Sequence, residues 1–262
     1  QRVKKLYIHH HLGLGDHFDC NGMVRYILEK TSFDKVGVFC KDVNFYLIQR
    51  MYEDDKNIEV ISLKSDPNLY GQFDANEYSQ VKAIIDENTV FCSSLSDILK
   101  YGEKSNTALL VVGHDFYQPV KDKNCWEIFY DQVGIPYEVR KDYFYIERDS
   151  KQEENLLKKK NPNGESFIFI HDDKSRGFEI NRKHLLNDKL LVIENDVSEN
   201  IFNFIGVIKK AEEVHCMESS FKTLVDIYCD QNKLFFHDFR GHPLGSKSNK
   251  NWKTIKYEEE QR

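Results

Sequence analysis

The feature that most constrains the fold is an alternation of short apolar runs with segments of helical periodicity. KKLYIHH at the start of the chain predicts a strand, and residues 20–31 then place apolar side chains on one helical face. KVGVFCK, NIEVISL and TALLVVGHD predict three further strands, and NFYLIQRMY predicts the helix between the first two of these. This βαβαβ order is typical of a parallel sheet that is covered by helices.

A polar segment divides the chain after a helix over CWEIFYDQV, which we expect to end at Gly134. The segment ERDSKQEENLLKKKNPNGES is highly charged and ends in an NPNG turn. We place a domain boundary within residues 148–165 and predict one domain over residues 1–150 and a second over 151–262. The alternative interpretation is an exposed helix and loop inside a single domain.

The alternation resumes in the second half. The predicted strands are SFIFIHDD, KLLVIEND, EEVHCMES and KLFFHDF. The predicted helices are SSFKTLVDIY and DVSENIFNFIGVIKK, the latter with a capping box formed by Asp196 and Glu199. We therefore predict an α/β protein of two Rossmann-like domains that face a cleft, with ligands outside the carboxyl ends of the strands.

Composition excludes several classes of function. The formal net charge of −6 does not suit a general nucleic-acid binder, which needs a surplus of Lys and Arg. The 6 cysteines show no CxxC spacing, which indicates a reducing compartment. No apolar run approaches the roughly 18 residues of a membrane span, and no signal core is present near the start. These features predict a cytoplasmic protein without a membrane span.

The turn HLGLGD connects the first predicted strand to the first predicted helix. Gly13 and Gly15 within it are expected to allow positive φ and close approach of a ligand to the backbone. A dinucleotide fingerprint is disfavoured, because the third glycine of GxGxxG is missing. The second strand also ends in Lys41, where such proteins carry an acidic residue for the ribose.

The same turn carries groups that transfer protons or bind metals. Asp16 lies on the first helical turn, where a carboxylate either accepts a proton from a hydroxyl or caps the helix. His9, His10 and His11 cannot all converge on one metal ion, because neighbouring residues of a strand point to opposite faces. We therefore predict no metal site; polar packing or substrate hydrogen bonding explains the histidines better.

Two stretches of the second half suit a phosphate. HDDKSRGF would display His171, Lys174 and Arg176 at the end of a strand, either as fixed cations for phosphate or as a solvated loop. In MESSFKTLVDIY, Ser219 and Ser220 begin a helix, whose free N–H groups and dipole favour a diphosphate. The alternative is that these serines are ordinary N-caps.

Together these motifs resemble glycosyltransferases of the GT-B fold. The GLGD turn is similar to the glycine-and-aspartate turn of bacterial heptosyltransferases and to the glycine-rich first turn of some fucosyltransferases. AEEVHCMESSFKTLVDI resembles the strand and serine-rich helix start that hold the donor diphosphate in such enzymes. The resemblance implies that a sugar is transferred from a nucleotide-activated donor to a glycan or other hydroxyl acceptor. It implies no cofactor and no metal, and we infer inversion from the presence of a single base.

The resemblance also implies roles for individual residues. Asp16 is the expected base, with His17 as its substitute. The expected donor-binding residues are Gly13, Gly15, His171, Lys174, Arg176, Glu218, Ser219, Ser220 and Phe221. The expected acceptor-binding residues are His11, Asn21 and Arg25, of which the last two are alternatively surface residues of the helix.

Two other functions stay open at this point. One is an NAD(P)-binding oxidoreductase or epimerase, and the other is a non-catalytic module that binds a sugar nucleotide or glycan. The chain is either a complete transferase or one module of a larger multi-domain transferase.

Overall fold

The computed structural model describes residues 3–69, 74–230, 233–241 and 250–257. The chain forms two compact units, Gln1–Glu147 and Arg148–Arg262, which we call unit 1 and unit 2. They divide just before the helix Ser150–Lys160. The division predicted from the sequence falls after Ser150, the first residue of that helix.

Unit 1 is a parallel sheet with helices. Its strands are β1 Lys5–His9, β2 Lys35–Lys41, β3 Ile58–Leu63, β4 Val90–Cys92 and β5 Thr107–Val111. Its helices are α1 Leu14–Lys30, α2 Phe45–Tyr52, α3 Ala75–Ile84, α4 Leu95–Lys100, α5 Cys125–Val133 and α6 Val139–Asp142. The strand order is β3-β2-β1-β5-β4, so β1 is central and the chain crosses to its other side after β3. The carboxyl ends of β1 and β5 therefore meet where the winding direction changes, which is the usual ligand position in such sheets.

Unit 2 has the same construction. Its strands are β6 Phe167–His171, β7 Leu191–Glu194, β8 Glu213–Met217, β9 Leu234–Asp238 and β10 Trp252–Lys256. Its helices are α7 Ser150–Lys160, α8 Ile205–Lys210 and α9 Ser220–Tyr228. The strand order is β10-β9-β8-β6-β7, and all the pairs are parallel. The winding direction changes between β6 and β8, so the loops that follow these two strands occupy the equivalent position in unit 2.

The predicted α/β class and the alternation of strands and helices are confirmed in both units. The end of α5 is also confirmed: Gly134 adopts the left-handed conformation with φ 76°, which an L side chain rarely adopts. All 6 cysteines are free thiols.

The predicted capping box of Asp196 and Glu199 is wrong. Asp196 accepts hydrogen bonds from the backbone and hydroxyl of Ser198, and it pairs with Lys160 of α7. Asn200 caps the segment instead by accepting from the backbone N–H of Phe202. A 3-10 turn follows over Ile201–Phe204, and α8 begins only at Ile205.

The core of unit 2 contains a buried chain of hydrogen bonds. Glu213 Oε2 lies 3.1 Å from His215 Nε2, and His215 Nδ1 lies 2.9 Å from His237 Nε2. His237 Nδ1 lies 2.8 Å from the hydroxyl of Tyr257. The chain joins β8 to β9 and to the residue that follows β10, and all four side chains are buried.

The ends of this histidine chain determine where its protons lie. The Leu186 N–H donates to Glu213 Oε2, so this carboxylate oxygen accepts and His215 Nε2 donates to it. Burial lowers the pKa of both histidines, that of His237 to about 3, so the rings are neutral and each has one donor. His237 then donates through Nε2 and accepts the Tyr257 hydroxyl at Nδ1, which satisfies every member of the chain.

Candidate functional site

The candidate site of unit 1 is the turn between β1 and α1. The residue with positive φ in this turn is Leu12, at 64°, whereas Gly13 is extended at φ −67°. Gly15 lies within α1 and is not among the residues with positive φ. The expectation that these glycines supply positive φ is therefore wrong.

The two glycines instead make room for side chains of the protein. A Cβ atom on Gly13 would lie 2.6 Å from Asp16 Oδ2, and one on Gly15 would lie 3.2 Å from Cζ2 of Trp126. Their small size thus lets the Asp16 carboxylate fold back onto the turn and lets the Trp126 indole pack against α1. We expected a ligand to approach the backbone closely at these glycines. In the structure, the side chains of Asp16 and Trp126 make this close approach instead.

Asp16 is held by one hydrogen bond to each of its carboxylate oxygens. The backbone N–H of Gly13 donates to Oδ2 at 2.9 Å, and the indole Nε1–H of Trp126 donates to Oδ1 at 3.0 Å. Burial raises the pKa of Asp16 to about 6, although the two hydrogen bonds and the charge of Lys41 act to lower it. Asp16 is thus a fixed carboxyl group whose pKa lies close to neutral pH.

Trp126 was missed by the sequence analysis. It lies on the first turn of α5, 110 residues from Asp16 along the chain. The sequence offered one indication of its importance. The chain has only 2 tryptophans, and this one begins the helix that follows β5.

His11 lies beside this turn on a half-buried aromatic wall. Its Nε2 accepts the backbone N–H of His114 at 2.8 Å, and its ring meets the rings of His114, Tyr117 and Phe129 edge-on. Burial lowers the pKa of His11 to about 4, so the ring is neutral at pH 7. The position of His11 after β1, at the carboxyl ends of the strands, suits an acceptor contact, which stays a prediction.

His17 does not suit the role of substitute base. Its side chain is fully buried, and its ring packs edge-on against His10 at 4.4 Å between centroids. Neither ring nitrogen has a hydrogen-bond partner within the described part of the chain, and burial lowers the pKa to about 3. A hydroxyl substrate has no access to this ring, so the assignment is corrected: His17 is a core residue.

Asn21 and Arg25 are also corrected, because both are used in packing unit 1 together. Asn21 is fully buried and exchanges two hydrogen bonds with the backbone of Tyr145, at 3.0 and 3.1 Å. Arg25 forms a bidentate pair with Asp54 at 2.8 Å and donates to the carbonyl of Met51. These contacts leave neither residue available to bind an acceptor.

The candidate site of unit 2 begins where α9 follows β8. Ser219 is the N-cap of α9: its hydroxyl donates to the carbonyl of Met217 at 3.2 Å and accepts from the backbone of Lys222 at 3.5 Å. Ser220 is the first helical residue and is 7% exposed. Ser219 therefore has the structural capping role that the sequence left as an alternative, and the first backbone N–H groups of α9 lie at the carboxyl end of β8.

His171 and Phe221 form a stacked pair rather than a charged site. Their ring centroids are 4.4 Å apart, and Phe221 also packs against Phe169 and Phe204. Burial lowers the pKa of His171 to about 4, which leaves it uncharged at neutral pH. The expectation that His171 is a fixed cation is therefore wrong, and Phe221 is a core residue with 8% exposure, which corrects its assignment as a donor contact.

Lys174 and Arg176 lie on the 3-10 turn that follows β6, and both are paired with carboxylates. Lys174 Nζ lies 3.2 Å from both oxygens of Glu194, and Arg176 Nε donates to Asp173 at 2.5 Å. Both side chains are about half exposed, at 47% and 51%. Such exposed ion pairs contribute little stability, so a stronger anion can displace the carboxylates.

Glu218 lies between β8 and α9 and lines a small crevice at the carboxyl ends of β8 and β9. Asp238 and Arg240 line the same crevice from β9 and the residues that follow it. The Asp238 carboxylate accepts the backbone N–H groups of Arg240 and Gly241 at 3.1 and 2.7 Å. The crevice adjoins the start of α9, so Glu218 occupies the ligand edge of the unit 2 sheet.

The described residues contain neither a candidate metal centre nor a candidate membrane span. No group of three His, Cys, Asp or Glu side chains in residues 3–69, 74–230, 233–241 and 250–257 could hold a metal ion. No helix within the same ranges combines the length and the apolar character needed to cross a bilayer.

No family model matches this chain, and no curated protein matches it by sequence. Solved structures do. A glycosyl transferase family 9 protein from Veillonella parvula aligns over 98% of this chain and 87% of its own, with 8% identity and a TM-score of 0.53. This chain has a GT-B-like fold. The E. coli heptosyltransferase WaaC with ADP aligns over 98% and 94% of the two chains, with 10% identity and a TM-score of 0.53.

A third similar structure is E. coli ADP-heptose lps heptosyltransferase II, which covers 97% of this chain and 90% of its own. Its identity is 9% and its TM-score 0.51. The predicted GT-B-like α/β class is thus confirmed at the level of the fold. Because the sequence identities are only 8–10%, these similarities establish the fold alone. The substrate has to be inferred from the residues of the candidate site.

Proposed function

We propose that this protein is a glycosyltransferase that moves a sugar from a nucleoside-diphosphate donor to a hydroxyl acceptor, with inversion and without a metal. The observation that carries the proposal is the Asp16 carboxyl group. It lies at the carboxyl end of the central strand, is oriented by two hydrogen bonds, and has a pKa of about 6. A general base is most effective when its pKa lies near the working pH.

In the proposed reaction, Asp16 accepts the proton of the acceptor hydroxyl as its oxygen attacks the anomeric carbon. The bond from that carbon to the diphosphate oxygen breaks, and its electron pair leaves with the diphosphate. At pH 7 the ionised form of Asp16 predominates, because pH 7 lies above its pKa of about 6. Attack and departure on opposite faces of the carbon account for the inversion.

Unit 2 is the proposed donor-binding part. The backbone N–H groups at the start of α9, near Ser219 and Ser220, offer donors and a positive helix end to a diphosphate. Lys174 and Arg176 add charge once the diphosphate replaces their weak carboxylate partners. Two of the similar structures carry ADP or an ADP-2-deoxy-2-fluoro heptose, which supports a nucleoside diphosphate as the ligand class. Glu218 is the proposed contact to the remainder of the donor.

The turn of unit 1 disfavours the oxidoreductase alternative. In dinucleotide-binding proteins the pyrophosphate approaches the glycines at the start of the first helix. Here the indole of Trp126 lies against Gly15, and the Asp16 carboxylate covers Gly13. A negative charge on Asp16 at this helix start would repel a pyrophosphate.

The first experiment is thermal unfolding with ADP, UDP, GDP, CDP and dTDP, with their sugars, and with NADPH. A ligand that binds only the native state raises the melting temperature. A shift by one nucleoside diphosphate supports the donor site, whereas a shift by NADPH alone contradicts the proposal.

The second experiment tests Asp16 with the donor that binds. Asp16→Asn keeps a side-chain oxygen acceptor but removes the base, so turnover of the donor should fall about 10²–10⁴-fold while the donor-induced thermal shift stays. Asp115→Asn is the matched control, because Asp115 is an exposed carboxylate after β5 in the same unit. Unchanged turnover in Asp16→Asn would exclude Asp16 as the base. Binding without turnover in the parent protein, across sugar and glycan acceptors, would favour the non-catalytic module.

A further inference from the structure

Trp126 is placed to control the orientation of Asp16. Within the described residues its indole N–H is the sole hydrogen-bond donor to Oδ1, while the Gly13 N–H donates to Oδ2. With both oxygens fixed, the carboxylate cannot rotate about its terminal bond without breaking one of the two bonds. Each carboxylate oxygen of Asp16 also has a second lone pair, which points away from the N–H group that donates to that oxygen.

The indole itself is held rigidly. Asn124 and Glu127 form a capping box around the start of α5, with N–H···O distances of 2.9 and 3.1 Å. Both of these side chains are buried, and Trp126 lies between them in sequence on the first helical turn. On its other side the indole contacts α1 at Gly15, where any Cβ would be only 3.2 Å away.

We propose that Trp126 is a positioning residue that holds the Asp16 carboxylate in the orientation required for proton transfer. The inference rests on the proposed role of Asp16 as the base and adds a residue from a different helix to that site. Proton transfer depends steeply on geometry, so a carboxylate free to rotate accepts the proton less often.

The hydrogen bond from Trp126 also favours the ionised form of Asp16 and so lowers its pKa. The other ionisable groups that act on this site are Asp19 and Cys20 of α1 and Lys41 at the end of β2. Asp19 pairs with Arg140 and Lys41 pairs with Glu77. Because Trp126→Phe leaves all three of these groups in place, it should raise the pKa of Asp16 through the lost hydrogen bond alone.

The first test does not depend on activity. The chain has 2 tryptophans, so its NMR spectrum contains two indole N–H signals, which Trp252→Phe assigns. We expect the Trp126 signal to shift with a midpoint near pH 6, the pKa of Asp16, and to lose this step in Asp16→Asn. A Trp126 signal that does not respond to pH between 4 and 8 would overturn the proposal.

The second test is the pH profile of donor turnover. Trp126→Phe should lower kcat by roughly tenfold to a hundredfold, leave the donor KM unchanged, and shift the acid limb of the profile to higher pH. Trp252→Phe is the matched control, since its indole N–H also donates to an aspartate, Asp226, at 2.7 Å, but in unit 2. This control should keep the parent kcat and the parent acid limb.

A milder variant covers the case in which Trp126→Phe fails to fold. Gly15→Ala favours the helix but presses a methyl group against the indole, so it should shift the acid limb in the same direction by a smaller amount. If Asp16→Asn loses turnover while Trp126→Phe and Gly15→Ala keep kcat and the parent profile, the positioning role is wrong. If Asp16→Asn keeps full turnover, the proposed base itself is wrong.

Discussion

Two groups of buried histidines, one in each unit, differ in their hydrogen bonding. In unit 2, the rings of His215 and His237 belong to a chain in which each nitrogen has a partner, from Glu213 to Tyr257. In unit 1, the described residues provide no hydrogen-bond partner for Nε2 of His9, Nε2 of His10 or either nitrogen of His17. All of these histidines are at least 95% buried, with exposures of 0–5%.

The fully paired histidines of unit 2 form a structural network, whereas the histidines of unit 1 surround the candidate site. A fully paired network stabilises one packing of strands, because each broken bond leaves a buried polar group without a partner. These incompletely paired rings of unit 1 lie at the last residue of β1, at the residue after it and beside Asp16 in α1, at the edge where ligands bind in such sheets. Buried polar groups that stability alone does not explain are concentrated at functional sites.

Acid should produce the largest effect and should act more strongly on unit 1. The folded-state pKa values of His9, His17 and His237 are about 3, against 6.5 for an ordinary histidine. Between these pH values the unfolded chain binds more protons, so stability is complete above pH 6.5 and falls as the pH drops towards 3. At pH 5 each such ring costs up to about 2 kcal/mol. In unit 1, Asp16 offsets part of this loss, since its raised pKa has the opposite effect.

The measurement is urea unfolding at pH 7 and pH 5, followed by the fluorescence of one tryptophan at a time. Trp126 reports on unit 1 in Trp252→Phe, and Trp252 reports on unit 2 in Trp126→Phe. His10, His11 and His114 also have lowered pKa values, so the described residues of unit 1 carry five such rings, against four in the described residues of unit 2. The comparison breaks down if Trp252 reports the larger loss of stability at pH 5.

Replacing a buried histidine by leucine should lower the free energy of unfolding more in the unit 2 group than in the unit 1 group. His237→Leu leaves His215 Nδ1 without a donor and the Tyr257 hydroxyl proton without an acceptor, so we expect a loss of about 2–4 kcal/mol in the free energy of unfolding. His17→Leu removes no hydrogen bond of the described structure and should change that free energy by less than about 1 kcal/mol. Urea midpoints with unchanged m values measure both. Equal costs would show that pairing does not distinguish the two groups.

Tyr257→Phe should cost less than His237→Leu, about 1 kcal/mol, because it deletes one hydroxyl at the end of the hydrogen-bonded chain and keeps the ring. The Asn181 N–H that loses its acceptor belongs to an exposed residue and can bind water. The nitrogen chemical shifts of His215 and His237 in the parent protein provide a further check. We expect both rings to carry their proton on Nε2, and a proton on Nδ1 of either would contradict the assigned direction of the chain.

Much of the architecture was predictable because buried parallel strands are continuous apolar runs. KLYIH and FIFIH became β1 and β6, the strands beside which the winding changes direction. β4 and β10 were missed because only part of each strand is buried, so the apolar pattern is weak, and β4 has only 3 residues. The start of α8 was misplaced because Asp196 and Glu199, which resemble caps in sequence, pair with lysines of α7 instead.

The sequence by itself determined that two sheets form and that an aspartate begins the helix after the first strand, since both follow from local periodicity and turn chemistry. Only the tertiary structure decided which neighbours surround that aspartate. Trp126 comes from 110 residues away, and Asn21 and Arg25 turn out to face packing partners rather than a ligand. These outcomes depend on contacts between distant segments, and a spacing of residues along one helix carries no information about what packs against each face.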